Sequence, residues 1–558
     1  MQDAAVLIVG GGPCGLMLAN ELGRRGVPAI LVDDKPGTTT KPQANATQAR
    51  TMEHYRRLGF AEEVRALGLP ADYPTDMAYF TRFTRHELAR YELPSARDAR
   101  VIIKSLTGDW SAAELPHRCS QLYIEPILKE HASRLPSISL RYGWQLTGFE
   151  DDGDGVEATI ARTDDGAIER LRVGWLIGCD GPRSFVRKTL GYNFLGEGGA
   201  QRDFMGGRMQ MLHFRAPHLY DIIPHRKAWM YWAFNNERRC FMCALDGIRD
   251  FVFHTQLRPG EREEDVTDES MHAMLEQVVG LRFPIEVLGR AAWTAGFALV
   301  AERFQRGRVL LAGDAAHLFT PSGGLGYNTG IEDAVNLGWK LAAVAKGWAE
   351  PALMDSYEAE RRPVALRNTA FARGFAARIG VPPDPAIEDA TPVGTEARQR
   401  AGNYLNAAIR AEFNIPGITF GARYDDSPVI VPDGTAPPPD SANNYTPTAC
   451  PGGRTPHRWL PDGRSLFDLF GFEFTIMCSR PELGQELADT AARLGIPATV
   501  LDMPDEETRA LYEACLVLIR PDQIVAWRGK APPRDAAALW RTVTGAKGAM
   551  QPAAAAGG

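Results

Sequence analysis

The chain has 558 residues, of which 44% are hydrophobic and 23% are charged, and its formal net charge is −7. This length predicts roughly three or four domain-sized units, and the acidic balance argues against nucleic-acid binding, which usually needs a basic face. No apolar run reaches the roughly 18 residues that cross a membrane. The eight cysteines are scattered, and Cys240 and Cys243 have dithiol spacing without a second pair. We therefore expect reduced thiols, no metal site and a cytoplasmic location.

The first 33 residues predict a strand, a glycine turn, a helix and a second strand that ends in two acids. In Gly10-x-Gly12-x-x-Gly15, the first glycine permits a tight turn and the second lets a pyrophosphate approach the backbone. The third lets the helix pack closely on the strand. A turn that merely packs is the alternative, and the motif does not distinguish FAD from NAD. The residues predicted to bind a dinucleotide here are Gly10, Gly12, Pro13, Gly15, Asp33 and Asp34.

The rest of the chain alternates predicted helices, sheets and loops without internal repeats. The segment between residues 205 and 257 is rich in aromatic and β-branched residues and predicts a sheet. A proline- and glycine-rich stretch from Val431 to Pro456 predicts a linker or a wrapping loop. Residues 457–545 alternate strands and helices, which indicates a small separate α/β domain.

Two further motifs follow the first in the chain. Asp180-Gly181 ends an apolar run and is followed by Arg183. Gly313-Asp314 is followed by a turn from Pro321 to Asn328 and then by a helix predicted between Gly330 and Lys346. Each motif alone could be an ordinary surface turn, but the ordered trio favours a flavin site.

In this order the motifs resemble those of the class A FAD-dependent aromatic hydroxylases, which have the p-hydroxybenzoate hydroxylase fold. The chain is most similar to the phenol hydroxylase and polyketide hydroxylase branch, and the resemblance covers nearly its whole length. It implies that Asp314 binds the ribityl chain and that the turn after it runs along the isoalloxazine ring. The further residues that it assigns to the cofactor site are Gln43, Ala44, Asn45, Arg118, Gln121, Asp180, Arg183, Gly313, Asp314, Gly324, Gly326, Tyr327 and Asn328.

The resemblance also implies an α/β fold. A Rossmann-type FAD-binding domain is interleaved with a β-sheet substrate domain, and a thioredoxin-like α/β domain follows at the C-terminus. The expected FAD-binding domain comprises residues 1–75, 100–187 and 290–346. The substrate domain with its following helices comprises 76–99, 188–289 and 347–395, the linker or wrapping segment 396–456, the thioredoxin-like domain 457–548, and a disordered tail 549–558.

The implied reaction is the hydroxylation of a small phenolic substrate with NAD(P)H and O2 through a flavin C4a-hydroperoxide, with loss of a ring substituent as an option. A homodimer is expected. The alternatives are a flavin-dependent halogenase or epoxidase of the same fold, and a flavin-binding protein without catalysis. The expected catalytic residues are Pro321, Tyr327, His213 and Tyr231.

Overall fold

The computed structural model describes residues 3–199, 204–379 and 381–546, so the tail predicted to be disordered lies outside the described residues. Within these ranges the chain forms four sheets, fifteen α-helices and several short 3₁₀ turns. In this part of the chain no helix is long and apolar enough to cross a membrane. The α/β fold class predicted from the sequence is confirmed.

The first sheet has eight strands in the order β16-β17-β8-β1-β2-β5, and β7 and β6 extend it from β8. Strands β17, β8, β1, β2 and β5 are parallel, and β1 is buried almost throughout, as is typical of a parallel sheet. The strands are β1 Ala4–Val9, β2 Ala29–Asp33, β5 Ile138–Tyr142, β6 Trp144–Asp151, β7 Val156–Arg162, β8 Ile168–Gly178, β16 Gln305–Arg306 and β17 Val309–Leu311.

The second sheet has seven strands in the order β14-β10-β13-β12-β11-β3-β4 and is antiparallel except where β11 pairs with β3. It carries its own hydrophobic core, and the aromatic segment predicted to form a sheet supplies four of its strands. The strands are β3 Met77–Phe80, β4 Glu87–Tyr91, β10 Gly207–Arg215, β11 Met230–Phe234, β12 Arg239–Ala244, β13 Asp250–Gln256 and β14 Glu286–Ala295.

Two smaller sheets complete the fold. A three-stranded sheet has the order β18-β15-β9, and a four-stranded sheet in the order β20-β19-β21-β22 forms the thioredoxin-like domain. The strands are β9 Phe194–Glu197, β15 Ala298–Ala301, β18 His317–Leu318, β19 Phe474–Cys478, β20 Ala498–Asp502, β21 Leu516–Ile519 and β22 Val525–Gly529.

The helices pack on the faces of these sheets and connect them. The helices are α1 Pro13–Arg24, α2 Ala49–Leu58, α3 Ala61–Arg65, α4 Ala96–Ile102, α5 Gln121–Ser133, α6 Phe185–Thr189, α7 Leu219–Ile222, α8 Asp268–Val279, α9 Leu325–Ala345, α10 Asp355–Ile379, α11 Pro392–Phe413, α12 Pro416–Phe420, α13 Pro481–Arg493, α14 Glu506–Tyr512 and α15 Ala536–Val543.

The structure differs from the sequence pattern at three places. Helix α9 begins at Leu325, five residues earlier than the apolar periodicity indicated, because Gly324 adopts a left-handed conformation with φ of 65° and starts the helix. The segment 396–456, predicted as a linker, begins inside α11, which packs on β4 through Gly402. The predicted boundary at residues 289 and 290 falls inside β14, which pairs along its length with β10.

A buried cluster of charges joins the thioredoxin-like domain to the helices α9 and α10. Arg520 donates to both carboxylate oxygens of Glu360 at 2.6 and 2.9 Å and also to Asp522. Lys340 of α9 donates to Glu360 at 2.7 Å. Burial lowers the pKa of Lys340 to about 8, although Glu360 opposes this shift. Because every partner is buried, removing one leaves the others unpaired in a medium that does not solvate them.

We predict that Arg520→Ala destabilises the protein by about 3–5 kcal/mol, the usual effect of removing one partner of a buried ion pair. The matched control is Arg509→Ala, since Arg509 forms only an exposed pair with Glu506 at 3.1 Å and such pairs contribute about 0–1 kcal/mol. Thermal unfolding of the two variants beside the wild type measures the difference. Equal midpoints for the two variants would mean that the buried cluster adds nothing.

Candidate functional site

The three sequence motifs meet at the carboxyl edge of the first sheet. The chain turns at Gly10 so close to β8 that a Cβ there would lie 2.3 Å from the Cys179 carbonyl oxygen. Cys14 of α1 lies 3.9 Å from Cys179, measured between sulfurs. A Cβ on Gly313 would lie 3.2 Å from the Cβ of Cys14. The first motif therefore contacts the other two, although they are separated by more than 160 residues in sequence.

The first turn of α1 can hold the phosphates of a dinucleotide. Its N-cap residue, Gly12, provides no side-chain cap, so the first N–H groups of the helix have no intrahelical partner. A Cβ on Gly12 would meet nothing within 4 Å, whereas a Cβ on Gly15 would lie 2.0 Å from the Gly10 carbonyl oxygen. Gly12 thus faces open space, whereas Gly15 packs closely against the end of β1 and the turn that follows it. This cradle fits a pyrophosphate at a helix N-terminus.

The two acids after β2 have different surroundings. Asp33 accepts hydrogen bonds from the Gly11 N–H at 2.6 Å and from the Lys35 N–H at 2.8 Å, and its side chain is 11% exposed. The Asp34 side chain is 56% exposed and pairs only with the Lys35 ammonium at 3.1 Å. Asp33 therefore lies at the glycine loop, while Asp34 faces solvent. This geometry favours Asp33, and not Asp34, as the ribose acid.

The Asp180-Gly181 motif is fixed by its own turn and by the third motif. Asp180 accepts hydrogen bonds from the Ser184 hydroxyl at 2.6 Å and the Val186 N–H at 3.1 Å. Burial raises the pKa of Asp180. The buried Arg187 donates to the Ala315 carbonyl oxygen at 3.2 Å, which ties this turn to Gly313-Asp314. Arg183, in contrast, is exposed.

Asp314 has no hydrogen-bond partner among the described residues. Its side chain is accessible to solvent but surrounded by protein, and this enclosure raises the pKa of the carboxyl. The neighbouring Gly313 N–H donates to Asp333 at 3.1 Å, and Asp333 is held by His317 at 2.6 Å and by Arg361 at 2.7 Å. The backbone around Asp314 is thus rigid, while its carboxylate is available to a ligand.

Asn328 fixes the turn before α9 against the loop that follows β2. Its Nδ2 donates to the carbonyl oxygens of Ala46 and Gly324, and its Oδ1 accepts from the Gln48 N–H and the Thr51 hydroxyl. All hydrogen-bonding groups of this amide are therefore used within the protein. Asn328 shapes the predicted flavin site through the backbone of the turn and the loop.

Several predicted cofactor residues form the walls of the same region. Gln121 donates from its backbone to Ala44 at 2.7 Å and from its side chain to Glu125 at 2.5 Å. Gln43 is exposed, and Arg118 is buried with its guanidinium 4.5 Å from the Trp229 ring centroid. Arg118 therefore contacts the second sheet. Two further buried polar atoms lack a partner among the described residues, namely Asn45 Oδ1 and Ser322 Oγ.

The structure does not support Tyr327 as a partner of the substrate. Its hydroxyl forms a hydrogen bond with the Tyr55 hydroxyl of α2, and its ring packs on the core of the first sheet. Burial raises the pKa of Tyr327. The prediction placed this phenol beside the reacting ring because the turn was expected to extend to Asn328. Helix α9 begins at Leu325 instead and directs the side chain toward α2.

Aromatic side chains line one face of the second sheet across five strands. The ring centroids of neighbours in this row are 4.5–5.8 Å apart, and the Trp293 Nε1–H donates to His254 Nδ1 at 3.2 Å. Trp232 Nε1 is buried without a partner in the described chain. We call this set the aromatic row: Tyr79, Trp232, Phe241, His254 and Trp293.

Tyr231 lies on the opposite face from this row, because successive residues of a strand point to opposite faces. Its hydroxyl accepts from the Ala228 N–H at 2.9 Å, and its ring packs on Phe80 and Phe83. Tyr231 therefore does not share a face with the aromatic row, and its place in the substrate pocket stays a prediction. His213 lies on β10 and is half-buried. Met211 is the register partner of His254. Because His213 lies two residues from Met211, it is on the same face as the row.

Pro321 is exposed at the start of the turn that leads to α9. Glu412 of α11, which was not predicted, accepts a hydrogen bond from the Gly323 N–H of the same turn at 3.0 Å. No sequence signal marks Glu412, since a single acid near the end of a helix is ordinary. Its position became visible only from the packing of α11 against the turn and the sheet.

Comparison with known proteins agrees with this geometry. A family profile described as an FAD binding domain matches residues 3–372, and one described as the C-terminal part of an aromatic-ring hydroxylase matches residues 448–549. The FAD-dependent monooxygenase apdD of Emericella nidulans is 32% identical over 95% of this chain and 88% of its own. A putative polyketide hydroxylase of Streptomyces halstedii is 32% identical over 94% and 93%.

Among solved structures, the rebeccamycin biosynthetic enzyme RebC with reduced flavin has a TM-score of 0.86 and 34% identity, over 97% of this chain and 99% of that chain. These relatives give no support to the halogenase, epoxidase or non-enzyme alternatives. FAD is thus the cofactor, and NAD(P)H is the reductant that this family uses with it. The chain belongs to the FAD-dependent aromatic-ring hydroxylases and is a monooxygenase.

Proposed function

We propose that this enzyme hydroxylates a planar phenolic compound held between the aromatic row and the turn at residues 321–324. The observation that carries the proposal is the aromatic row itself, whose side chains offer a wide apolar surface for a flat ring system. Such a surface with few polar groups is typical of small-molecule sites. The polyketide hydroxylase among the relatives supports a substrate of more than one ring.

The residues around the site have distinct proposed roles. When bound, FAD supplies the activation of O2 and the transfer of one oxygen atom. The first turn of α1 would hold its pyrophosphate, Asp33 its ribose and Asp314 its ribityl chain. Trp232 Nε1–H, unpaired within the described ranges, would donate to the substrate. Burial lowers the pKa of His254 to about 3, so its ring stays neutral near pH 7 and can also donate.

The proposal extends to the reductant and to the cellular compartment. NAD(P)H would approach at Arg183, since this arginine is exposed beside the buried Asp180 turn. All eight cysteines are free thiols, which supports a reducing compartment such as the cytoplasm. The homodimer expected from the resemblance stays a prediction, as does a direct role for His213.

The reaction is tested by NAD(P)H oxidation with a panel of mono- and polycyclic phenols and with their methyl ethers as matched controls. We expect phenols to stimulate oxidation and to gain one oxygen atom by product mass. The ethers should not react, because an ether cannot ionise and therefore donates far less electron density to the attacked ring than a phenolate does. If no phenol stimulates oxidation, or if the product lacks the added oxygen, the proposal fails.

We predict that Asp33→Ala weakens FAD binding about 10–100-fold, because a hydrogen bond to a charged group contributes about 1.5–3 kcal/mol. Asp34→Ala is the matched control and should bind FAD like the wild type, since its side chain faces solvent. Titration of the apoprotein with FAD, followed by flavin fluorescence, gives both constants. A larger effect at Asp34 would contradict the geometry described above.

We predict that Arg183→Ala slows anaerobic flavin reduction by NAD(P)H about tenfold, the loss expected for one exposed charge contact of about 1.4 kcal/mol. The affinity for the phenol should not change. Lys188→Ala removes another exposed cation from the same segment and serves as the control. Stopped-flow absorbance measures the reduction rate. An unchanged rate combined with weaker phenol binding would place Arg183 at the substrate instead.

A further inference from the structure

The carboxyl group of Glu412 is buried, and only one of its two oxygens accepts a hydrogen bond from the described residues. The residue is 3% exposed, and its Oε1 accepts the Gly323 N–H at 3.0 Å. Its Oε2 has no hydrogen-bond partner in residues 3–199, 204–379 and 381–546. Buried carboxylate oxygens are normally hydrogen-bonded. This oxygen is therefore suited to a group that the protein itself does not supply.

Glu412 lies where the turn before α9 meets the aromatic row. On the opposite side of the turn, the Gln48 amide donates to the Gly323 carbonyl oxygen at 2.7 Å. Tyr79 of the row interacts electrostatically with Glu412. Burial raises the pKa of this phenol, and the negative charge of Glu412 raises it further. The Tyr79 ring stacks on Trp232 at 5.2 Å. The carboxyl group thus contacts the turn directly and lies close enough to Tyr79 of the row for its charge to act on the phenol.

The surroundings of Glu412 allow it to exchange a proton near neutral pH. Burial raises its pKa to about 7, and only the Gly323 N–H opposes the shift. From the sheet, the groups that face it are the neutral phenol of Tyr79 and, beyond it, Arg239 of β12, which lowers the pKa of Tyr79. From the turn it meets only backbone. A base works best when its pKa lies close to the working pH.

We propose that Glu412 is the catalytic base that deprotonates the phenol substrate, an inference that rests on the proposed function. In this step the O–H bond of the substrate breaks and its proton forms a bond to Glu412 Oε2. The electron pair stays on the phenolate oxygen, so no oxidant or reductant takes part. The base offsets the cost of an apolar pocket, which by desolvation raises the pKa of a bound phenol.

The first test uses ligand binding without turnover. The FAD-loaded wild type and Glu412→Gln are titrated with 4-nitrophenol, whose phenolate is coloured, at pH values about two units on either side of the Glu412 pKa. Glutamine keeps an oxygen that accepts the Gly323 N–H but cannot take a proton. We expect the bound phenolate to form at least about one pH unit higher in the variant. Coincident titrations would overturn the proposal.

The second test uses turnover with the best phenol of the panel. At pH 7 we expect Glu412→Gln to lose about 100-fold in hydroxylation rate, the usual contribution of a general base. The rate should recover as the pH approaches the pKa of the free phenol. FAD content and the thermal midpoint confirm that the variant is folded.

The matched control is Gln48→Leu, which removes the other hydrogen bond to Gly323 and disturbs the turn without touching the carboxyl group. We expect its loss of rate to be independent of pH. If Glu412→Gln behaves in the same way, Glu412 only positions the turn and the proposal is wrong. If no phenol is hydroxylated by the wild type, the proposed function fails, whereas the nitrophenol titration still decides whether Glu412 is a base.

Discussion

The flavin site depends on three backbone segments that approach each other more closely than side chains would allow. A Cβ on Gly10 or Gly15 would collide with a carbonyl oxygen at 2.3 or 2.0 Å. A Cβ on Gly330 would lie 3.2 Å from the Cα of Gly313, which is also tight. This contact brings the ends of β1 and β8 and the start of α9 to one edge of the sheet. The helix N-terminus and the free carboxylate of Asp314 gain their positions from it.

The second constraint on the site is electrostatic and comes from residues in the C-terminal part of the chain. Arg50 of α2 donates to the Asp522 carbonyl oxygen at 2.6 Å, and Arg454 pairs with Glu53 of the same helix. Together with the cluster around Arg520, these contacts join α2 and α9 to the C-terminal part of the chain. The loop at residues 43–48 and the turn at 321–324 are both joined to these helices. The thioredoxin-like domain therefore supports the site, although it contributes no residue to the proposed substrate pocket.

The sequence predicted the fold class and the flavin motifs, because strand, glycine turn and acid are local patterns with a fixed spacing. It could not predict which face of the second sheet carries the aromatic row. Tyr231 and Trp232 are adjacent and equally aromatic, and only the pairing of β11 with β3 and β12 shows that Trp232 joins the row. The proposed role of Glu412 could not be predicted for a similar reason. It depends on a tertiary contact with Gly323, which is 89 residues away in the sequence.

The carboxyl groups of the scaffold and those of the site differ in the direction of their pKa shifts. Those of the scaffold are paired with arginine: burial would raise the pKa of Glu53, but Arg454 and Arg50 lower it to about 2. This stabilisation is present above the ordinary carboxyl pKa and is lost as the pH falls toward 2. At the site, desolvation by the surrounding protein raises the pKa of the Asp180, Asp314 and Glu412 carboxyls instead. Near neutral pH a scaffold carboxylate such as Glu53 thus stays ionised, whereas Glu412 can gain or lose a proton.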